Sequence, residues 1–263
     1  MNKKHFNIKA VATLYAVTVC TALHCCPLTV QQGYYGVALC EVQGVYLQTA
    51  ASSPPYVIVI DPGHGGMDTG AQALVEEYVV IDTTAKYLAE LLEADPDFIP
   101  VFTRTDTDPS SDDRCALANS HSASLLISLH ANSDSSSSSH GFECFPAPPG
   151  RPYHSESLRF ALLVVAAMKD AGHTLRGGEE KTGIKYAYYS GKRKIIVDST
   201  DEKIRSLPSF GILDKTDCPA LLVEQCFVTN RQDVNSWATE EGCRRAAALY
   251  YNAIRQYFGT YSA

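Results

Sequence analysis

"VIVIDPGHGGMDTG" runs from Val57 to Gly70. Its first half is a short, β-branched apolar run, the pattern of a strand buried on both faces. Its second half is made of chain breakers, with Pro62, Gly63, Gly65, Gly66 and Gly70 surrounding one histidine, His64. A buried strand that ends by presenting a single imidazole on a glycine loop sets the question for the whole chain. Glycines suit a loop that turns sharply and brings backbone close to a metal or a substrate.

From this strand outward the hydrophobic pattern alternates between two periods. Glu76 to Glu93 ("EEYVVIDTTAKYLAELLE") has helical spacing, Ile99 to Arg104 ("IPVFTR") reads as a strand, and Asp112 to His121 as a helix. "SLLISLH" (Ser124 to His130) is again a strand, and "GFECF" (Gly141 to Phe145) a short one. Ser155 to Ala171 is expected to be a helix capped by its opening serine. "PALLVEQCFV" (Pro219 to Val228) is a further buried strand, and Arg231 to Phe258 is mostly helical. Strands separated by helices predict an α/β fold, a three-layer sandwich with a mostly parallel twisted sheet flanked by helices on both faces.

The chain has 263 residues, enough for one domain of about 200 residues with an ample core. The proline-ended stretch "TAASSPP" (Thr49 to Pro55) marks the boundary, so one domain is expected over residues 55–259. Before it, "MNKKHFNIK" carries three lysines and no acid, and an uncharged apolar run follows. Residues 1–54 therefore read as a signal peptide or N-terminal anchor plus linker, with export to the periplasm or cell envelope. Either Ala22 or Ala50 suits cleavage, and membrane anchoring through this segment is the alternative. The net charge of −7 argues against a nucleic-acid partner, which needs a basic face. Nine cysteines suit an exported chain, but Cys115, Cys144, Cys218, Cys226 and Cys243 are an odd set with no CxxC. At least one is expected to be unpaired within the domain, and a cysteine zinc site is disfavoured.

Three polar side chains fall near the carboxyl ends of predicted strands: His64, His130 and Glu224. In open α/β sheets ligands bind in the crevice outside those ends. Glu76 or Glu77, opening the first helix, is a fourth candidate. Two histidines and a glutamate form the ligand set of a catalytic zinc with one open position. A glutamate in a buried strand is costly unless it is paired or used. Penicillin-binding-type Ser-x-x-Lys, H-E-x-x-H and Walker signatures are missing from the sequence.

The chain resembles the zinc-dependent N-acetylmuramoyl-L-alanine amidases of bacterial cell walls. The resemblance rests on "IVIDPGHGG", "TRTD" (Thr103 to Asp106), "DRCALAN" (Asp113 to Asn119), "LLISLHAN" (Leu125 to Asn132), "GFECF" and "PALLVEQCFVTN" (Pro219 to Asn230), in that order. It implies His64, Glu77 and His130 as metal ligands and Glu224 as the catalytic residue. Glu76 competes with Glu77; Glu77 is preferred because it shares a helical face with Ile81, Thr84, Leu88 and Leu91. The implied reaction is hydrolysis of the amide between the lactyl group of N-acetylmuramic acid and the L-alanine of the stem peptide. Implied partners are peptidoglycan or muropeptides and a protein activator, with the chain itself a monomer. A zinc carboxypeptidase or endopeptidase cutting within the stem, or a catalytically silent wall-binding protein, are the alternatives. Two departures from the family pattern stand out: Cys226 where a glycine is usual, and the long basic segment Arg176 to Pro208, read as a solvated excursion, a lid, a substrate-binding arm or a regulatory insert. The serine run ending in His140 is expected to be an exposed loop.

Overall fold

A computed structural model describes residues 53–105, 107–178 and 181–260. The basic and apolar N-terminal segment, and the four cysteines before residue 41, lie outside the described residues. Among the described residues thirteen elements follow one another: β1 (Tyr56–Pro62), α1 (Glu77–Glu93), β2 (Phe98–Phe102), α2 (Ser111–Ser120), β3 (Leu125–Asn132), β4 (Glu143–Pro146), α3 (His154–Asp170), β5 (Lys185–Ser190), β6 (Arg193–Asp198), α4 (Gly211–Asp214), β7 (Ala220–Phe227), α5 (Arg231–Trp237) and α6 (Glu240–Phe258). Five strands form one sheet in the order β2-β1-β3-β7-β4. The first four are parallel and β4 runs antiparallel to β7 at the edge.

The central strands β1, β3 and β7 bury both faces, which is why they read as continuous apolar runs. Ile58 and Ile60 of β1, Leu125, Ile127 and Leu129 of β3, and Leu221 and Val223 of β7 share one core with α1, α3 and α6. Val59, Leu126, Ala220 and Leu222 turn to the opposite face, where α2, α4, Phe145 and Ala187 of β5 cover them. The result is the expected three-layer α/β sandwich, with helices on one face and two short helices plus a hairpin on the other. No helix among the described residues is long and apolar enough to cross a membrane.

Two local expectations are corrected. Helix α3 does not take a serine cap: its N-cap is Tyr153, in the left-handed region at φ 56°, with no side-chain cap. Ser157 is buried instead and its Oγ accepts the Ala220 N–H at 3.1 Å, tying the helix to β7. The Arg176 to Pro208 segment is not simply a solvated excursion, because it holds the antiparallel pair β5–β6. Tyr186, Ala187 and Tyr188 are buried, and the Cys144 N–H donates to Gly183 O at 2.9 Å, fastening the segment to β4. All five cysteines of the domain are free and buried. Cys226 lies in the core shared with Val223 and Tyr250, so it does not line the crevice.

Candidate metal centre and its cleft

The loop after β1 holds His64 in a left-handed conformation, φ 59°, which a non-glycine residue adopts at a cost of roughly 1–3 kcal/mol. The surrounding structure fixes it there. Arg104 donates from Nε to Pro62 O at 2.9 Å and from Nη2 to Gly63 O at 2.8 Å. Arg114 donates from Nη1 to Pro62 O at 2.7 Å and from Nη2 to His64 O at 2.6 Å. Buried Asp61 completes the clamp, accepting from Thr103 Oγ1 (2.5 Å), Ser128 Oγ (2.6 Å) and Arg114 Nη1 (2.9 Å). Three consecutive carbonyls of the glycine loop are thus held by two guanidinium groups.

Two glycines of the loop are required by close approach. A Cβ on Gly63 would stand 2.1 Å from Cε1 of His130, so the His130 ring lies directly over that backbone. At Gly70, where φ is +64°, a Cβ would meet Glu77 Oε2 at 2.6 Å and His64 Cδ2 at 2.7 Å.

Glu77 opens α1, buried, with its carboxylate between the two imidazoles. Its Oε1 lies 3.0 Å from His64 Nε2 and 3.2 Å from His130 Nδ1. Backbone N–H groups complete its shell, Ala131 donating to Oε1 at 3.0 Å and Ala71 to Oε2 at 2.9 Å. Burial opposes its ionisation, yet the bonds from His130, His64 and Ala71 win and hold the carboxyl well below its ordinary range. On the far side of His64, Nδ1 donates to Asp68 Oδ2 at 2.8 Å. That bond fixes the ring's orientation and leaves Nε2 facing the centre, the carboxylate–histidine pairing usual behind metal ligands. Glu77 first, with Asp68 adding to it against the opposing effect of burial, raises the His64 pKa to about 9.

Potential ligand atoms of His64, Glu77 and His130 all lie within 4.8 Å of one another. Donors bound to one zinc at about 2.0–2.2 Å stand at most about 4.4 Å apart, so a small closing of this cluster reaches that spacing, and two nitrogens with one carboxylate oxygen match its chemistry. The donor set therefore fits such an ion. Glu76 is exposed and outside this group.

Glu224 stands beside it. The β3–β7 register pairs Glu224 with His130, and the β4–β7 register pairs Glu143 with Glu224. The three side chains form one row across the sheet, on the face that carries Phe145 and Leu222. Burial pushes the Glu224 pKa to about 7; His130 and Lys194 pull it down, while Glu77 and Glu143 push it further up. A cavity of about 420 Å³ opens from the two histidines, floored by Leu222 and Ile212 and walled by Phe210 and Ser110.

Sequence reasoning brought His64, His130, Glu77 and Glu224 to one place, as the structure has them. It missed Asp68, Arg104, Arg114 and Glu143. Both arginines lie inside quoted motifs, "TRTD" and "DRCALAN", where a basic residue beside a glycine loop was the available signal. Other histidines are elsewhere: His140 is exposed on its loop, and His173 is buried, stacked on Trp237 at 4.1 Å.

A family model described as N-acetylmuramoyl-L-alanine amidase matches residues 58–256. A probable N-acetylmuramoyl-L-alanine amidase of Haemophilus influenzae, AmiB, is 29% identical over 76% of this chain and 51% of its own length. AmiC of Escherichia coli, an N-acetylmuramoyl-L-alanine amidase, is 27% identical over 80% of this chain and 54% of its own. The chain spans about half the length of these curated relatives. Among solved structures, the catalytic domain of CwlV, an N-acetylmuramoyl-L-alanine amidase from Bacillus (Paenibacillus) polymyxa, superposes with a TM-score of 0.61 at 26% identity, over 78% of this chain and 99% of that domain.

Proposed function

Because the chain belongs to the N-acetylmuramoyl-L-alanine amidase family, we propose that it hydrolyses the amide joining the lactyl group of N-acetylmuramic acid to the L-alanine of the stem peptide. His64, Glu77 and His130 are the metal ligands of this reading, and zinc is the metal. The observation that carries it is the meeting of these three donors, within 4.8 Å, beside the raised carboxyl of Glu224.

An amide is a poor electrophile and an amine a poor leaving group, so neutral hydrolysis needs activated water and a proton donor. Zinc bound by these residues supplies Lewis acidity, favouring deprotonation of water and polarising the carbonyl. Glu224 takes the proton of the attacking water and returns it to the departing amine nitrogen. A carboxyl pushed to about 7 serves both halves of that task near neutral pH. Asp68 keeps the His64 ring turned with Nε2 inward. The arginine clamp on the Pro62–His64 carbonyls keeps the loop from relaxing out of its left-handed turn. Residues 1–54 act in this reading as the export segment, and residues 55–259 as the catalytic domain that meets peptidoglycan in the cell envelope.

The test is the product spectrum of digested peptidoglycan with wild type and Glu224→Gln. Wild type is expected to release intact stem peptides with L-alanine at their amino end, to lose activity to a chelator and to regain it with zinc. Glu224→Gln is expected to keep one zinc per chain while turnover falls about 10²–10⁴-fold, the usual share of general acid–base catalysis. Products trimmed within the stem would replace this reading with a peptidase. Undiminished turnover by the variant would remove Glu224 from its role.

A further inference from the structure

The β5–β6 hairpin lies on the same sheet face as the candidate site and carries most of the local basic charge. Its cations are not equivalent. Lys185 Nζ is 2.5 Å from buried Glu143, and Arg176 Nε, just before the hairpin, is 3.6 Å from the same carboxylate. Lys192 and Arg193 stand exposed at the turn. Lys194 is exposed as well and, like Lys192 and Arg193, has no carboxylate within ion-pair distance among the described residues; what sets it apart is that its ammonium lies over two ring faces, 4.7 Å from the Phe210 centroid and 5.6 Å from that of Phe145.

Those rings form a shelf. Phe145 and Phe210 meet edge to face at 5.4 Å, and Tyr189, the residue paired with Lys194 across the hairpin, meets Phe210 edge to face at 5.9 Å. The shelf borders the site on both sides: Phe210 walls the cavity that reaches His64 and His130, and Phe145 lies two residues past Glu143 in the strand beside Glu224. Aromatic faces hold a cation in place without neutralising it, so the ammonium stays available to an anion.

Resting on the amidase reading above, we propose that Lys194 is the anion subsite for the stem peptide, binding the free carboxylate of the residue that follows the L-alanine. Glu224 returns a proton to the departing amine, so the leaving peptide sets out from the Glu224 side of the centre. Lys194 is the cation that the aromatic shelf holds on that side, and its field reaches Glu224. Two extended residues span at most about 7 Å, so that carboxylate stays close to the scissile nitrogen, in the cavity that Phe210 walls. The stem's second residue is linked through its side-chain carboxyl, which leaves its main-chain carboxylate free, or amidated in some walls. Lys194 therefore makes the enzyme discriminate between the two forms.

Steady-state hydrolysis of two matched muramoyl peptides tests this, one with that carboxylate free and one with it amidated. Wild type is expected to favour the free acid about tenfold, through KM. Lys194→Gln is expected to raise KM for the free acid about tenfold with little change in kcat, closing the gap; Lys194→Arg is expected to keep it open, and Lys192→Gln at the hairpin turn to leave it as in wild type. Binding of both peptides to Glu224→Gln, with and without Lys194→Gln, gives the same comparison without turnover. Equal handling of the two peptides by wild type, or a preference that survives Lys194→Gln, overturns the proposal while leaving the amidase reading intact. Hydrolysis of neither peptide by zinc-loaded wild type overturns both.

Discussion

His64 shows how much chemistry one residue position can hold. It adopts a strained backbone, donates to Asp68 from Nδ1 and directs Nε2 at Glu77. In the metal-free protein its pKa of about 9 keeps the ring protonated at neutral pH, chiefly through Glu77 and against its burial. Zinc needs that nitrogen bare, so binding must expel a proton. The sign follows directly: protons compete with the metal below about pH 9, and zinc affinity should rise about tenfold per pH unit between pH 6 and 8, levelling near 9. Competition against a chromophoric chelator at pH 6, 7 and 8 checks this, and a pH-independent affinity would contradict it. Much at this scale was legible, because His64, His130 and Glu224 each end an apolar strand run in a recognisable motif. Choosing between Glu76 and Glu77 needed the helix's orientation, which the shared face with Ile81 and Leu88 indicated. Asp68 was not legible, since nothing in a glycine loop says which carboxylate folds back onto the imidazole four residues earlier.

At the scale of elements, the strand–loop–helix unit around β1 depends on Arg104 and Arg114, which come from the next strand end and the next helix. The side chains of Arg114 and Asp61 are 8% and 3% exposed, so their ion pair is effectively buried. Breaking such a pair by removing one partner costs about 3–5 kcal/mol, because the other charge is left stranded. Arg114→Met is therefore expected to lower the melting temperature by roughly 6–20 °C, at about 2–4 °C per kcal/mol for a domain of this size. Arg114→Lys should recover little, since one ammonium cannot reproduce the fork that serves Pro62 O, Asp61, His64 O and, through Nε, Pro109 O. A lysine variant melting within about a degree of wild type would show that the fork is dispensable. The strands and long helices were readable because burial on two faces and on one face leave different periods. The α3 cap was misread, since a serine near a helix start is equally suited to accept a neighbouring strand's N–H, as Ser157 does from Ala220. The hairpin was obscured by its own charge: Lys185, Lys192, Arg193 and Lys194 drew the eye from the buried Tyr186 and Tyr188 between them.

For the whole domain, the three donors matter because of where they sit in the chain. His64 follows β1, Glu77 begins α1 and His130 ends β3, so Glu77 and His130 are 53 residues apart. One ion held by all three would tie the first helix to two central strands. In the unfolded chain that constraint is absent, so under the proposed reading zinc would bind the native state preferentially and stabilise it by mass action. At free zinc about one hundred times Kd the gain is about 2.7 kcal/mol, which for a domain of this size raises the melting temperature by about 5–11 °C. Thermal unfolding of chelated protein, with zinc then added back under buffered conditions, measures it directly. Glu77→Ala removes both a donor and the acceptor of the Ala71 and Ala131 N–H groups, so it should abolish the zinc-dependent rise and lower the metal-free melting point as well. Glu224→Gln should keep the full rise, because Glu224 lies beside the donor group and not within it. A zinc-dependent rise that survived Glu77→Ala would mean that the metal is held elsewhere on the chain.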